Sequence, residues 1–335
     1  MTGTVSPALR PPAGDALALI REALADRRRG GDRLDELTRY AMAVPGKLLR
    51  PLMLIAAAEA VGGQAGAVLP AAVAVEHLHV ASLVHDDIID GDDLRRGRPS
   101  VHARHGIADA IVTGDALLFD LFAAAAESAA PPQAVVAAVA ELARAGGDLC
   151  RGQVLESAMV PPGAGRPGSG LSDYLDVAAF KTGALFRAAC RVGALLGGGT
   201  AGQADLLADF GHHTGVAFQM YDDLLPYLDG CAAAGKPTTS DAANLRPTWP
   251  VLIAHRDGET GHRRAVETAL SGSVEPAEAL ELLRFAVLGS GALGTAREGA
   301  RERSALAVAR LPELPGTAAA GRLAALAEIA VDRDR

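Results

Sequence analysis

The sequence is poor in aromatic residues, which make up 4% of it and include a single tryptophan. Strands favour aromatic and β-branched side chains, and no run alternates convincingly with period two. A β architecture is therefore excluded. Cysteine is scarce as well: Cys150, Cys190 and Cys231 are odd in number and widely spaced. That pattern excludes a zinc motif and a disulfide framework, and it fits a reducing, cytoplasmic setting with buried thiols. Long apolar runs are missing. Segments 52–60 and 134–140 are short and alanine-rich, so no integral membrane protein is expected. The opening MTGTVSPALRPPAG has no apolar signal core. Basic charge is short too: a net charge of −8 argues against a nucleic-acid partner.

What remains is 335 residues, 49% of them hydrophobic and dominated by alanine and leucine, both strong helix formers. Amphipathic or wholly apolar helical periodicity runs through 15–28, 34–42, 50–61, 66–90, 109–130, 132–159, 171–196, 201–227, 248–257, 262–270, 276–290, 291–311 and 317–331. The Gly/Pro-rich stretch 161–170 is a loop, and 229–247 reads as irregular. No repeat of fixed period is present. The expectation is one all-α domain over residues 15–335, preceded by a flexible tail over 1–14.

The most telling segment is AVEHLHVASLVHDDIIDGDDLRRGRPSVH. It places Asp86, Asp87 and Asp90 in a DDxxD pattern, followed by Arg95 and Arg96. Like charges one turn apart repel, so such a cluster needs neutralising cations. Mg²⁺ prefers carboxylate oxygens and shares its shell with water and phosphates. Aspartates with nearby arginines point to a metal-bridged diphosphate site. His79, Leu83, Asp86 and Asp90 share one helical face. Further signals are GKLLRP with Lys47 and Arg50, FKTG with Lys181 and Thr182, FQMYDD with Gln219, Asp222 and Asp223, and GKPTTSD with Lys236 and Asp241. A lone lysine on a helix is usually a solvated charge, but together these give two acidic stations and a ring of cations.

In this order the motifs resemble those of the trans-type polyprenyl diphosphate synthases, over residues 46 to about 250. The resemblance implies a single large helical bundle of the isoprenoid synthase type with a central apolar cavity. It implies a homodimer, and isopentenyl diphosphate and an allylic diphosphate as substrates. Asp86, Asp87, Asp90 and Asp222 would hold about three Mg²⁺ ions, with Asp223 supporting the metal waters. Arg95, Lys181, Thr182, Gln219 and Lys236 would grip the allylic diphosphate. Gly46, Lys47, Arg50, His79 and Arg96 would hold the isopentenyl diphosphate. The implied reaction is ionisation, condensation and elimination, with the charge on the departing diphosphate stabilised electrostatically. Small residues below the first motif, Ala81 and Ser82, would leave the cavity open, with Leu78 and Phe119 or Phe122 as a deeper floor. That implies a C20 product, geranylgeranyl diphosphate, and a shorter one for Ala81→Phe.

The chain departs from the family on one side. The second motif reads DDLLP, with Pro226 in place of the third aspartate. Proline clashes with the carbonyl four residues back, that of Asp222, so the helix should kink or stop there. Asp229, one turn on, is a candidate partial substitute. The basic GKxT of the family reads LRPT, with Arg246 for lysine. Three functions stay open: a prenyl elongase; a terpene cyclase or unusual-acceptor prenyltransferase on the same fold; and a non-catalytic partner subunit of a prenyl synthase.

Overall fold

The computed structural model describes residues 13–27, 30–159, 170–228, 240–314 and 318–331. In chain order the helices are α1 (Ala13–Asp26), α2 (Arg33–Met42), α3 (Leu49–Ala60) and α4 (Ala65–Asp90). A two-strand hairpin, β1 (Leu94–Arg95) and β2 (Arg98–Pro99), leads to α5 (Val101–His105), α6 (Ile107–Ala126) and α7 (Pro132–Ala158). Next come α8 (Leu171–Ala178), a π-helical turn (Ala179–Gly183), α9 (Ala184–Leu196) and α10 (Ala201–Asp222). The last part holds α11 (Ser240–Ala243), α12 (Trp249–Asp257), α13 (Thr260–Ala269), α14 (Pro276–Gly289), α15 (Ala292–Val308) and α16 (Ala318–Val331). The all-α reading holds. The hairpin, α5 and α11 escaped the periodicity, being two to five residues long. Most of the expected tail lies outside the described residues, but Ala13 and Gly14 already belong to α1.

Two apolar cores meet along α10. Leu207 and Phe210 pack into the larger core with α1, α3, α4, α6, α7, α9 and α16, whereas Val216, Met220 and Tyr221 pack with α8 and α12 to α15. Phe218 touches both cores. Each large side chain fully buried this way contributes about 1.5–3 kcal/mol. Helix α4 is long and apolar enough to cross a membrane, against the reading of the short runs alone. However, 67% of that stretch is buried, the state of a core helix.

Three local features aim the polar groups. Gly91, at φ 66°, ends α4 directly after Asp90, its N–H donating to the Asp87 carbonyl. This left-handed stop puts the DDIID motif on the last helical turn. In the hairpin turn, Arg96 (φ 52°) and Gly97 (φ 76°) are both left-handed, as a tight two-residue turn requires. The turn sends Arg95 and Arg96 in different directions. Helix α10 ends at Asp222, and Pro226 opens a short 3₁₀ turn over Leu225–Tyr227. The helix therefore stops early, as the proline dictates.

Candidate active site

A cleft lies between α4, α7, α8 and α10. Asp86, Asp90 and Leu83 of α4, with Arg95, line one side; Gln219, Asp222 and Asp223 of α10 line another. Glu156 of α7, Lys181 of the π turn and Arg246 complete the polar wall. Its apolar part is Leu83 with Met159, Val177 and Ala178. The two acidic motifs of the sequence, 132 residues apart between Asp90 and Asp222, thus share one cleft.

Each charge has an identifiable partner. Lys181 Nζ donates to Gln153 Oε1 at 2.7 Å and to Glu156 Oε2 at 2.5 Å, and lies 4.0 Å from Asp86 Oδ2. The π turn that carries it, a rare feature enriched at functional sites, packs hard on α7. A Cβ at Gly152 would sit 2.5 Å from the Lys181 backbone nitrogen, so only glycine lets that backbone in. Arg246 bonds to Asp90 and lies 3.2 Å from Glu156 and 3.5 Å from Asp241. Thr182 Oγ1 donates to Gln219 Oε1 at 2.6 Å, and Gln219 Nε2 donates to Asp223 Oδ1 at 2.8 Å. The backbone N–H of Trp249 donates to Asp223 Oδ2 at 3.1 Å. Burial pushes the Asp223 carboxyl up to about 7, and burial likewise raises Asp86.

Two of the expected site residues lie apart from the cleft. Asp87 does not face the cleft: it is 2% exposed and accepts from Arg95 Nε at 2.8 Å. Asp86 and Asp90 lie four residues apart on one face, whereas Asp87 is turned about 100° away. Its partner is Arg95. Phe119 does not floor the cavity of its own chain: it is 75% exposed on α6, and Phe122 is also exposed. The buried face of α6 is made by Gly114, Leu117 and Leu121 instead. Leu78 and Ala81 are buried and Ser82 is half-buried below Asp86. Lys236 and Asp229 lie outside the described residues.

Sequence reasoning missed Gln153 and Glu156 and underrated Arg246. The signal for the pair was a three-residue spacing that puts both on the face of Gly152.

A second cationic station adjoins the cleft. Arg50 Nη1 donates to His79 Nε2 at 3.4 Å, and its guanidinium lies 4.4 Å above the Phe186 ring. Arg96 passes beside Gly46, where a Cβ would stand 2.7 Å from its Nη2. Lys47 is exposed at the edge. Burial, then Arg50, Arg96 and Arg95, hold His79 well below the usual histidine value. A histidine with a lowered folded value binds fewer protons folded than unfolded once the pH drops below its reference value of 6.5. Its contribution to stability is therefore intact above pH 6.5 and lost as the pH falls below it. His79→Gln should flatten the acid limb of a melting-temperature series; an unchanged limb would contradict this.

The donor set fits Mg²⁺ in one particular sense. Asp86 and Asp90 offer hard oxygens at the C-terminal end of α4, where the helix dipole disfavours negative charge. Among the described residues, no three acidic or histidine side chains converge tightly enough to cage an ion. Mg²⁺ sites of this kind use one or two carboxylates and take the rest of the shell from water and substrate phosphates.

Residues 32–284 match the polyprenyl synthetase family. The chain is 39% identical over 227 residues to geranylgeranyl diphosphate synthase of Methanosarcina mazei, covering 68% of this chain and 69% of that protein. It is 33% identical to geranylgeranyl pyrophosphate synthase of Geoglobus acetivorans, covering 94% of this chain and 95% of the relative. A polyprenyl synthase of Caulobacter crescentus, crystallised with calcium and isoprenyl diphosphate, superposes with a TM-score of 0.88 at 30% identity, over 100% of this chain and 99% of the other. Fold, site and relatives agree: this chain belongs to the polyprenyl synthetase family.

Proposed function

We propose that the protein condenses an allylic diphosphate with isopentenyl diphosphate, releasing diphosphate and forming geranylgeranyl diphosphate. The carrying observation is the cleft in which Asp86 and Asp90 share walls with Asp222, ringed by Lys181, Arg95 and Arg246, beside a separate cationic station at Arg50, His79 and Arg96. Two stations of this kind suit two diphosphates. A cyclase has no need of the second, and a binding subunit has no need of the first.

Asp86, Asp90 and Asp222 would hold the Mg²⁺ ions, about three with substrate bound; the metal supplies Lewis-acid stabilisation of the leaving diphosphate. Lys181 and Arg95 bind and orient that diphosphate, with Lys236 as a further cation from the sequence pattern. The Thr182–Gln219–Asp223 chain fixes the α10 wall. Gly46, Lys47, Arg50, His79 and Arg96 hold the isopentenyl diphosphate. Leu83, Met159, Val177 and Ala178 keep water from the allylic cation. No side-chain nucleophile is required. The proton lost after condensation passes to the released diphosphate. Incubation with C5, C10, C15 and C20 allylic primers tests the product length. Consumption of isopentenyl diphosphate with primers up to C15 is expected. Elongation of the C20 primer would overturn the C20 assignment.

We also propose a cytoplasmic homodimer through α6. Its exposed Ile107, Ile111, Val112, Phe119 and Phe122 form an apolar face of the kind that marks an interface. Phe119→Glu should convert a dimer to a monomer in sedimentation or light-scattering measurements. A dimer that survives the substitution, or a monomeric parent, would place the contact elsewhere or remove it.

A further inference from the structure

The deep side of the cleft has a resident cation. Arg246 Nη2 bonds to Asp90 and lies 3.2 Å from Glu156, while its Nη1 lies 3.5 Å from Asp241. The pair is withdrawn from solvent: the Asp90 side chain is 4% exposed and that of Arg246 14%. A guanidinium suits this place better than an ammonium, because its planar fork engages several carboxylates at once and never loses its charge.

The backbone around Arg246 is stiff. Leu245 sits at φ 52°, a left-handed conformation uncommon for a non-glycine residue. Pro247 restricts Arg246 to extended geometry. The Arg246 N–H donates to the Asp241 carbonyl at 2.9 Å, and its own carbonyl accepts from Thr248 at 3.0 Å. The neighbouring Ser240 Oγ donates to Asp92 Oδ1 at 2.9 Å, tying the same segment to the turn after α4. These contacts hold the backbone from which the guanidinium reaches the carboxylates.

We propose that Arg246 is a built-in counter-cation of the first acidic motif: in the metal-free protein it occupies the Asp90 carboxylate, and a divalent cation must displace it to bind. The inference rests on Asp86 and Asp90 being metal ligands, as proposed above. Displacement costs the guanidinium its Asp90 partner and leaves it Glu156 at 3.2 Å and Asp241 at 3.5 Å. A diphosphate restores the lost bond, two of its oxygens accepting bidentately from the guanidinium fork. Arg246 therefore favours metal entry together with diphosphate and disfavours filling of the acidic station by metal alone.

The test is Mn²⁺ binding, read by the paramagnetic resonance signal of the free ion. It is run with and without inorganic pyrophosphate on the parent, Arg246→Gln and Arg246→Lys. Without pyrophosphate, Arg246→Gln should bind Mn²⁺ about tenfold tighter than the parent, since a competing buried charge is gone. The gain in affinity from pyrophosphate should shrink by a similar factor. Metal-free Arg246→Gln should also melt lower than the parent and regain the loss on adding Mn²⁺. Arg246→Lys, which keeps the charge but engages fewer carboxylates, should fall between; it serves as the readout if the glutamine variant does not fold. Unchanged or weaker Mn²⁺ affinity in a folded variant, with the parent binding normally, would overturn the counter-cation role alone. Absence of Mn²⁺ binding in every protein, even with pyrophosphate, would overturn the metal-ligand reading and this inference together.

Discussion

Asp86→Asn should lower the condensation rate by on the order of a thousandfold or more while leaving the metal-free protein at least as stable as the parent. The substitution keeps the size and one acceptor oxygen but removes the charge that a divalent cation needs. The stability half follows from the environment. Burial raises the Asp86 carboxyl above its usual value, with Lys181 opposing that shift. An acid whose folded value is raised is penalised for being ionised at neutral pH. Asparagine carries no such penalty. Asp87→Asn should behave the opposite way. It removes the charge partner of Arg95 in a place 2% exposed, so the melting temperature should fall. Activity should fall less than for Asp86→Asn, because Arg95 is misaimed rather than a metal ligand lost. Rates and melting curves on both variants separate the roles. Equal activity losses with equal stability changes would mean that the two adjacent aspartates do the same work.

Ser82→Phe should shorten the product from C20 to C15 or less. Leu78, Ser82 and Asp86 are four residues apart, one stripe of α4. We propose that a chain growing away from a diphosphate held near Asp86 runs down that stripe. Ser82 is half-buried, its hydroxyl donating to the His79 carbonyl at 2.8 Å. Further down, a Cβ added at Gly146 of α7 would stand 3.8 Å from Leu78 Cδ1, so Leu78 faces α7 and closes the stripe. Ala81 is the poorer test position, although the sequence singles it out. It is fully buried and sits between His77 and His85, which reach Asp120 and the Ile111 carbonyl of α6. A phenylalanine there overpacks the α4–α6 contact at about 1–3 kcal/mol, mixing folding defects with product length. Mass analysis of the dephosphorylated product of Ser82→Phe decides the matter. An unchanged C20 product from a folded variant would mean that the chain does not follow this stripe.

The helices were legible because alanine- and leucine-rich periodicity persists over ten to thirty residues. The stop at Pro226 was legible because a missing N–H and a ring clash are local facts. The hairpin was not, since two-residue strands leave no periodic trace and its signature is two positive φ angles at Arg96 and Gly97. Asp86 and Asp90 were readable from four-residue spacing. For Asp87 the motif gives adjacency without direction, and direction is set by Arg95 returning from the turn. Glu156, and the contacts of Arg246, were hidden for a different reason. Each acquires meaning only from a partner far along the chain, Lys181 for one and Asp90 for the other. Phe119 failed because an apolar residue on a half-buried helix need not face inward, and α6 has an exposed apolar side as well.

The central claim is elongation by isopentenyl diphosphate, and one measurement addresses it most directly. The purified protein is incubated with Mg²⁺ and farnesyl diphosphate, with and without isopentenyl diphosphate, and the organic extract is weighed by mass before and after phosphatase. The account predicts geranylgeraniol that appears only after phosphatase and only with isopentenyl diphosphate present. A hydrocarbon or cyclic alcohol formed from farnesyl diphosphate alone would contradict it and make the DDLLP helix end the mark of a cyclase.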